Sequence, residues 1–202
     1  MNKKYKTLID NTIIFTIGTV GSRLITFFLV PLYTNVLTTG QYGTADLVMT
    51  CSNLIVPIIS LVIQDAVLRF GLTACCEHGK IAKNALVVFC AGTIFTLCIT
   101  PLIGLYPAVA EWKWYLATIA VSNMASNILY SYAKAKDKNK LYAIASMVNV
   151  LVLALVNILL LVVFPCGIKG YLTANICANV LTSLFLFVST HILIDIRKAS
   201  FD

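Results

Sequence analysis

Hydrophobic positions in this chain cluster into long runs rather than alternating. Six apolar stretches cover approximately 12–37, 44–72, 84–106, 114–133, 141–164 and 170–194. Each holds at least the ~20 residues that a helix needs to cross the hydrocarbon core of a bilayer. The pattern predicts an all-α, polytopic membrane protein, a six-transmembrane-helix bundle forming one lobe across 1–202. The loops between stretches are short, so consecutive helices are expected to pack antiparallel. Tyr33, Tyr42, Tyr106, Trp112, Trp114 and Tyr171 mark one set of ends, and Tyr130, Tyr132 and Tyr142 the other, as amphipathic rings do at the headgroup level. No internal repeat is evident.

Composition agrees, with 59% hydrophobic and 11% charged residues, where soluble proteins carry about 25% charged. The charge pattern adds orientation. Of fifteen Lys and Arg, eleven fall on one side of the six-fold alternation: Lys3, Lys4, Lys6, Lys80, Lys83, Lys134, Lys136, Lys138, Lys140, Arg197 and Lys198. Only Lys113 and Lys169 sit in the opposite loops. This positive-inside bias predicts cytoplasmic N- and C-termini. The net charge of +7 is spread over these loops, where it meets anionic lipid, so a nucleic-acid partner is not expected. Lys3, Lys4 and Lys6 resemble the start of a signal peptide, but the apolar run continues past Gly21 and Ser22, which reads as a retained first helix.

Seven scattered cysteines, of which only Cys166 lies in an outer loop, predict no disulfide. Cys75, Cys76 and His78 are too few ligands for a closed zinc site, and no metal or cofactor is expected. There is no HExxH or Gly-x-Ser-Gly motif, and His78 and His191 lie at membrane edges, so the chain does not read as an enzyme.

Polar residues inside the stretches carry the candidate chemistry. At about 100° per residue, Asp46, Thr50, Asn53, Pro57, Ser60 and Gln64 fall within about 40° of one line on the second helix. Thr16, Thr19, Arg23 and Thr26 mark the first helix, Thr93, Thr96 and Thr100 the third, Asn123, Ser126, Asn127 and Tyr130 the fourth, and Asn175, Asn179 and Thr182 the sixth. Such stripes face protein or water, because unpaired polar groups are unfavourable in hydrocarbon. They fit either interhelical hydrogen bonding, about 0.6–2 kcal/mol per contact, or a ligand site. Arg23 lies near mid-membrane, where arginine costs about 2.5–3.5 kcal/mol on insertion scales. It suits an anion, or an ion pair with Asp46 or Asp65. Asp65 and Arg69 are spaced to pair along one helix face. Pro31 and Pro57 are expected to kink their helices.

The run from Lys6 to Phe70 resembles the start of polysaccharide-biosynthesis flippases, the O-antigen and capsule unit transporters of the multidrug/oligosaccharidyl-lipid/polysaccharide superfamily. The likeness rests on Gly18 to Arg23, the segment FFLVPLYTNVLT, Gln41-Tyr42-Gly43, and Asp65-Ala66-Val67-Leu68-Arg69-Phe70; later helices match in spacing and polarity. It implies a protein of the bacterial cytoplasmic membrane that moves an undecaprenyl-diphosphate-linked oligosaccharide between leaflets. It further implies substrate contacts at Arg23, Asn53, Gln64, Asn123, Asn127 and Asn179, and ion coupling or ion pairing at Asp46, Asp65 and Arg69. The family has two six-helix lobes around a central cavity. Six stretches therefore imply a truncated or half-transporter form, completed by a second lobe or a parallel homodimer. The alternative is the substrate-capture subunit of a vitamin-type importer, also about six helices long.

Overall fold

The computed structural model describes residues 3–73, 78–105 and 107–198, with side chains described at all of these except 3–15, 17–19, 108, 109 and 198. The first three lysines, the Cys75–Cys76 pair, Tyr106 and Lys198 thus lie outside the described side chains.

Among the described residues the elements are all helices joined by short turns: α1 Lys3–Val36, α2 Thr39–Ser60, α3 Ile63–Gly71, α4 His78–Ile103, the single turn α5 Pro107–Ala110, α6 Lys113–Ala135, α7 Asn139–Asn157, a π-helical extension Ile158–Val163, α8 Gly167–Thr190 and α9 Ile192–Lys198. Among the described residues, four helices are long and apolar enough to cross a membrane: α2, α4, α7 with its π extension, and α8.

α2 begins where its sequence dictates. Thr38 Oγ1 accepts from the Gln41 N–H at 3.3 Å, and Gln41 Oε1 accepts from the Thr38 N–H at 3.1 Å. This capping box satisfies two otherwise orphaned donors. The helix ends sooner than the apolar run suggests. Leu61 and Val62 both adopt the left-handed conformation, with φ of 47° and 53°, so the single helix expected over 44–72 is two helices. Pro57 has no N–H to give the ladder, and its carbonyl is taken by the Val62 N–H at 3.3 Å. Twenty-two residues at 1.5 Å each make α2 about 33 Å long, enough to cross the ~30 Å core alone. α3 therefore begins beyond one full crossing. The sixth stretch divides in the same way: His191, at φ 55°, separates α8 from α9.

Packing centres on α6, which contacts α2, α3, α4 and α8, while α7 joins α8 to α1. α6 is buried on nearly every side, from Leu116 and Ala117 to Tyr132, Ala133 and Ala135. A helix sheltered by protein can carry Asn123 and Ser126, and α6 is not among the helices apolar enough to cross on composition alone. Small residues allow two close approaches. A Cβ on Gly71 would sit 2.4 Å from Ala135 Cβ, and one on Gly92 would sit 2.5 Å from the Ile59 carbonyl oxygen. The glycines thus hold α3 against α6 and α4 against the last turn of α2. By contrast α1 and α2, joined by a short turn, touch little. Two ends follow from this layout: a basic end, where α6 stops at Lys134–Lys140 beside Thr190, and an opposite end near Tyr33 and Tyr171.

Candidate functional site

The predicted asparagines divide into two groups. Asn123 of α6 and Asn179 of α8 meet directly: the Asn179 amide donates to Asn123 Oδ1 at 2.7 Å. A third, Asn149 of α7, donates to Asn179 Oδ1 at 3.4 Å and to Thr182 Oγ1 at 3.1 Å. Ser126 Oγ adds a bond to the Asn179 carbonyl at 3.1 Å and lies 2.9 Å from Ser183 Oγ. These bonds tie three helices through carboxamides, each able to donate and accept. The Asn123 amino group and the Asn149 carbonyl oxygen stand outside that chain of bonds. Asn127, one turn from Asn123, is exposed and makes no side-chain bond among the described residues.

The reading along the chain gave no polar stripe for the fifth stretch and so passed over Asn149 and Asn157. An asparagine within an otherwise apolar run was the available signal. Asn157 is fully buried and donates to Tyr33 Oη at 3.1 Å and to the Leu153 carbonyl at 2.9 Å. Tyr33 in turn stacks on Tyr42 and meets Tyr171 edge-on, with centroids 6.5 and 4.9 Å away. This aromatic cluster fastens α1, α2, α7 and α8 at the end opposite the lysines.

The second helix does not keep its stripe. Asp46, Thr50, Asn53 and Pro57 are exposed, whereas Ser60 is fully buried and Gln64 half-buried on the other side of the Leu61–Val62 break. Ser60 Oγ donates to Gln64 Oε1 at 3.2 Å and accepts from the Val62 N–H at 3.2 Å. Gln64 therefore serves the turn and does not stand in line with Asn53. On α1, buried Ser22 lies 3.1 Å from Ser146 Oγ of α7. Arg23, one residue on, is exposed. Thr26 donates to the Ser22 carbonyl, and Thr93, Thr96 and Thr100 donate to their own i−4 carbonyls. Those threonines are occupied by their own helices.

Neither candidate ion pair forms among the described residues. Asp65 and Arg69 are both exposed on α3, and Arg23 pairs with neither Asp46 nor Asp65. The ion pair found there is Lys136–Asp195 at the basic end. Tyr132 Oη donates to Asp195 Oδ2 at 2.7 Å, while Lys136 and Lys138 donate to the Thr190 and Ser189 carbonyls, each at 3.1 Å. These lysines cap the last carbonyls of α8, where positive charge is favourable. Partial burial of Asp195 disfavours its charged form. The bonds from Lys136 and Tyr132, with the charges of Lys136 and His78, outweigh this and hold its carboxyl below the usual range. No group of three potential metal ligands occurs among the described residues.

No protein-family model, curated protein or solved structure matches this chain.

Proposed function

We propose that this chain is one six-helix lobe of a lipid-linked oligosaccharide flippase in a bacterial cytoplasmic membrane, working with a second lobe or a second copy. One observation carries the reading: Arg23, Asp46 and Asn53 lie on the faces that α1 and α2 turn away from the rest of the chain. The six crossings are α1, α2, α4, α6, α7 with its extension, and α8. Arg23 stands thirteen residues before the end of α1, about 20 Å along the axis, and Asn53 stands at a comparable distance along α2. Lipid there would leave a guanidinium, a carboxylate and a carboxamide unpaired. A facing lobe with a hydrated cavity between resolves all three.

In that arrangement the planar Arg23 fork takes a diphosphate, which matches its paired donors. Asn53, Asn123 and Asn127 offer carboxamides to glycan hydroxyls. Asp46 either binds a coupling cation or balances Arg23 across the cavity. The Lys and Arg distribution sets both termini in the cytoplasm. The motifs from Gly18 to Arg23 and from Asp65 to Phe70 support the family assignment, while Gln41 has a structural reason in its capping box. The chemistry is transport, with no bond made or broken.

The test is complementation of a flippase-deficient strain with the second half supplied, alongside membrane abundance. Arg23→Lys is expected to retain part of glycan export, and Arg23→Ala to lose it at unchanged abundance. Normal export by Arg23→Ala would remove the substrate role. Lost abundance restored by neutralising Asp46 or Asp65 would assign Arg23 to an ion pair instead.

A further inference from the structure

On the side of the bundle away from α1, an open groove of about 580 Å³ runs between α4, α6 and α8, with α9 across its basic end. Phe89 and Leu97 of α4, Val121 and Ala125 of α6 and Phe187 of α8 are among its walls. From Ala82 to Leu97 it follows α4 for fifteen residues, about 22 Å, most of the ~30 Å hydrocarbon thickness. We propose that this groove is a binding site for an acyl chain of an anionic phospholipid, with the headgroup at the basic end.

Three observations select that occupant. The first is that the groove offers no polar welcome. Four hydroxyls lie in its wall, from Thr93, Thr118, Ser122 and Ser183. Thr93, Thr118 and Ser122 donate to carbonyls of their own helices at 2.8, 2.8 and 3.0 Å, and Ser183 is bonded to Ser126. The protons of these hydroxyls are already committed and the rest of the lining is almost wholly apolar, so a chain without polar atoms fits better than a sugar or a peptide. The second is charge. At the α9 end, Lys83 follows the lining residue Ala82 and Arg197 follows the lining residue Ile196. Cations beside the membrane surface attract anionic lipid. The third is closure. Ile192 and Ile196 line the groove from α9, and Asp195 between them fastens α9 to Lys136 and Tyr132. The proposal needs only that α4, α6 and α8 cross a bilayer, and stands whether or not the chain is a flippase.

Trp114 lines the groove and reports on it directly. In a Trp112→Phe background it is the sole tryptophan. The protein is placed in bilayer discs containing brominated-chain phosphatidylglycerol or phosphatidylcholine, and quenching is followed against mole fraction. Half-maximal quenching is expected at a several-fold lower fraction of the anionic lipid. Native mass spectrometry of the detergent-purified chain should show one retained phosphatidylglycerol. Ala125→Phe, on the groove floor, should remove the retained lipid and the preference. The Lys83→Gln/Arg197→Gln pair, which leaves the groove wall untouched, should remove the preference alone. Equal quenching by both lipids in the unaltered groove would overturn the proposal, as would a preference that survives the charge substitutions.

Discussion

Replacing Gly92 by alanine tests the packing argument most directly. In an exposed helix interior, Gly→Ala gains about 1 kcal/mol of helix propensity. At Gly92 the added Cβ would lie 2.5 Å from the Ile59 carbonyl oxygen, 2.9 Å from Met124 Cε and 3.1 Å from Met124 Sδ. Methionine can move. The Ile59 carbonyl cannot turn aside, because it belongs to the last turn of α2, just before the left-handed pair. Overpacking costs about 1–3 kcal/mol, and backbone contact places this site at the upper end. Subtracting the propensity gain leaves a net loss of about 2 kcal/mol. For a chain of this size that corresponds to a fall in Tm of roughly 4–8 °C. Gly43→Ala is the internal control. It lies inside α2, where nothing stands within 4 Å of its Cβ position, so it should raise Tm by a few degrees. The measurement is thermal unfolding of both variants in one detergent, followed by circular dichroism and by loss of monodispersity. If Gly92→Ala melts at or above the parent chain, the close approach of α4 to α2 is wrong.

Other outcomes follow from local geometry. Val62→Gly should stabilise the chain by up to about 1 kcal/mol, because left-handed φ strains a β-branched residue while glycine adopts it freely; a large loss in the melt would mean that the turn is helical. Asn179→Leu removes the central member of the three-asparagine chain and takes the donor from Asn123 Oδ1, while Asn149 keeps its bond to Thr182; the expected cost is about 1–3 kcal/mol, and a change below a few tenths in denaturant titration would remove the network from the stability argument. The depressed Asp195 carboxyl contributes stability that is fully present above its unfolded value near 4 and is lost as pH falls through its lower folded value. Parent and Asp195→Asn melts should therefore differ by a constant amount above pH ~5 and converge in stronger acid; a gap that stays constant to pH ~2.5 would show that the pair does not titrate as argued.

The membrane class was readable because long apolar runs leave few alternatives, and four of the stretches are helices able to cross. The boundaries were less readable, for a physical reason. Hydropathy reports what a residue prefers to touch, not its φ, and Leu61 and Val62 are as apolar as the helix they interrupt. Pro57 marks α2, but a proline acts on the turn before it, and the break comes after it, at the left-handed Leu61 and Val62. The candidate site shows the same division. Helical spacing placed Asn123 on the bonded face, and the Asn179 amide meets it there. It could not register Asn149, because which helix lies beside which is a tertiary fact. Gln64 failed as a stripe member once the backbone turned. The threonines on α4 looked like a surface and are internal bonds. Arg23, conspicuous in the sequence on insertion energetics, is exposed on α1.

The central position of α6 bears on how the chain is made. It emerges from the ribosome before α7 and α8, yet its polar face is completed by Asn179 and Ser183 of α8. In the proposed six-crossing arrangement, a nascent chain ending before Gly167 holds Asn123 and Ser126 in the membrane without those partners. There α6 depends on a sequence not yet synthesised, and its settling belongs to a late, cooperative stage of biogenesis rather than to stepwise partitioning. Arrested nascent chains should reveal this as an α6 that crosslinks to the insertion machinery until α8 has appeared, and release before that point would show that α6 partitions unaided.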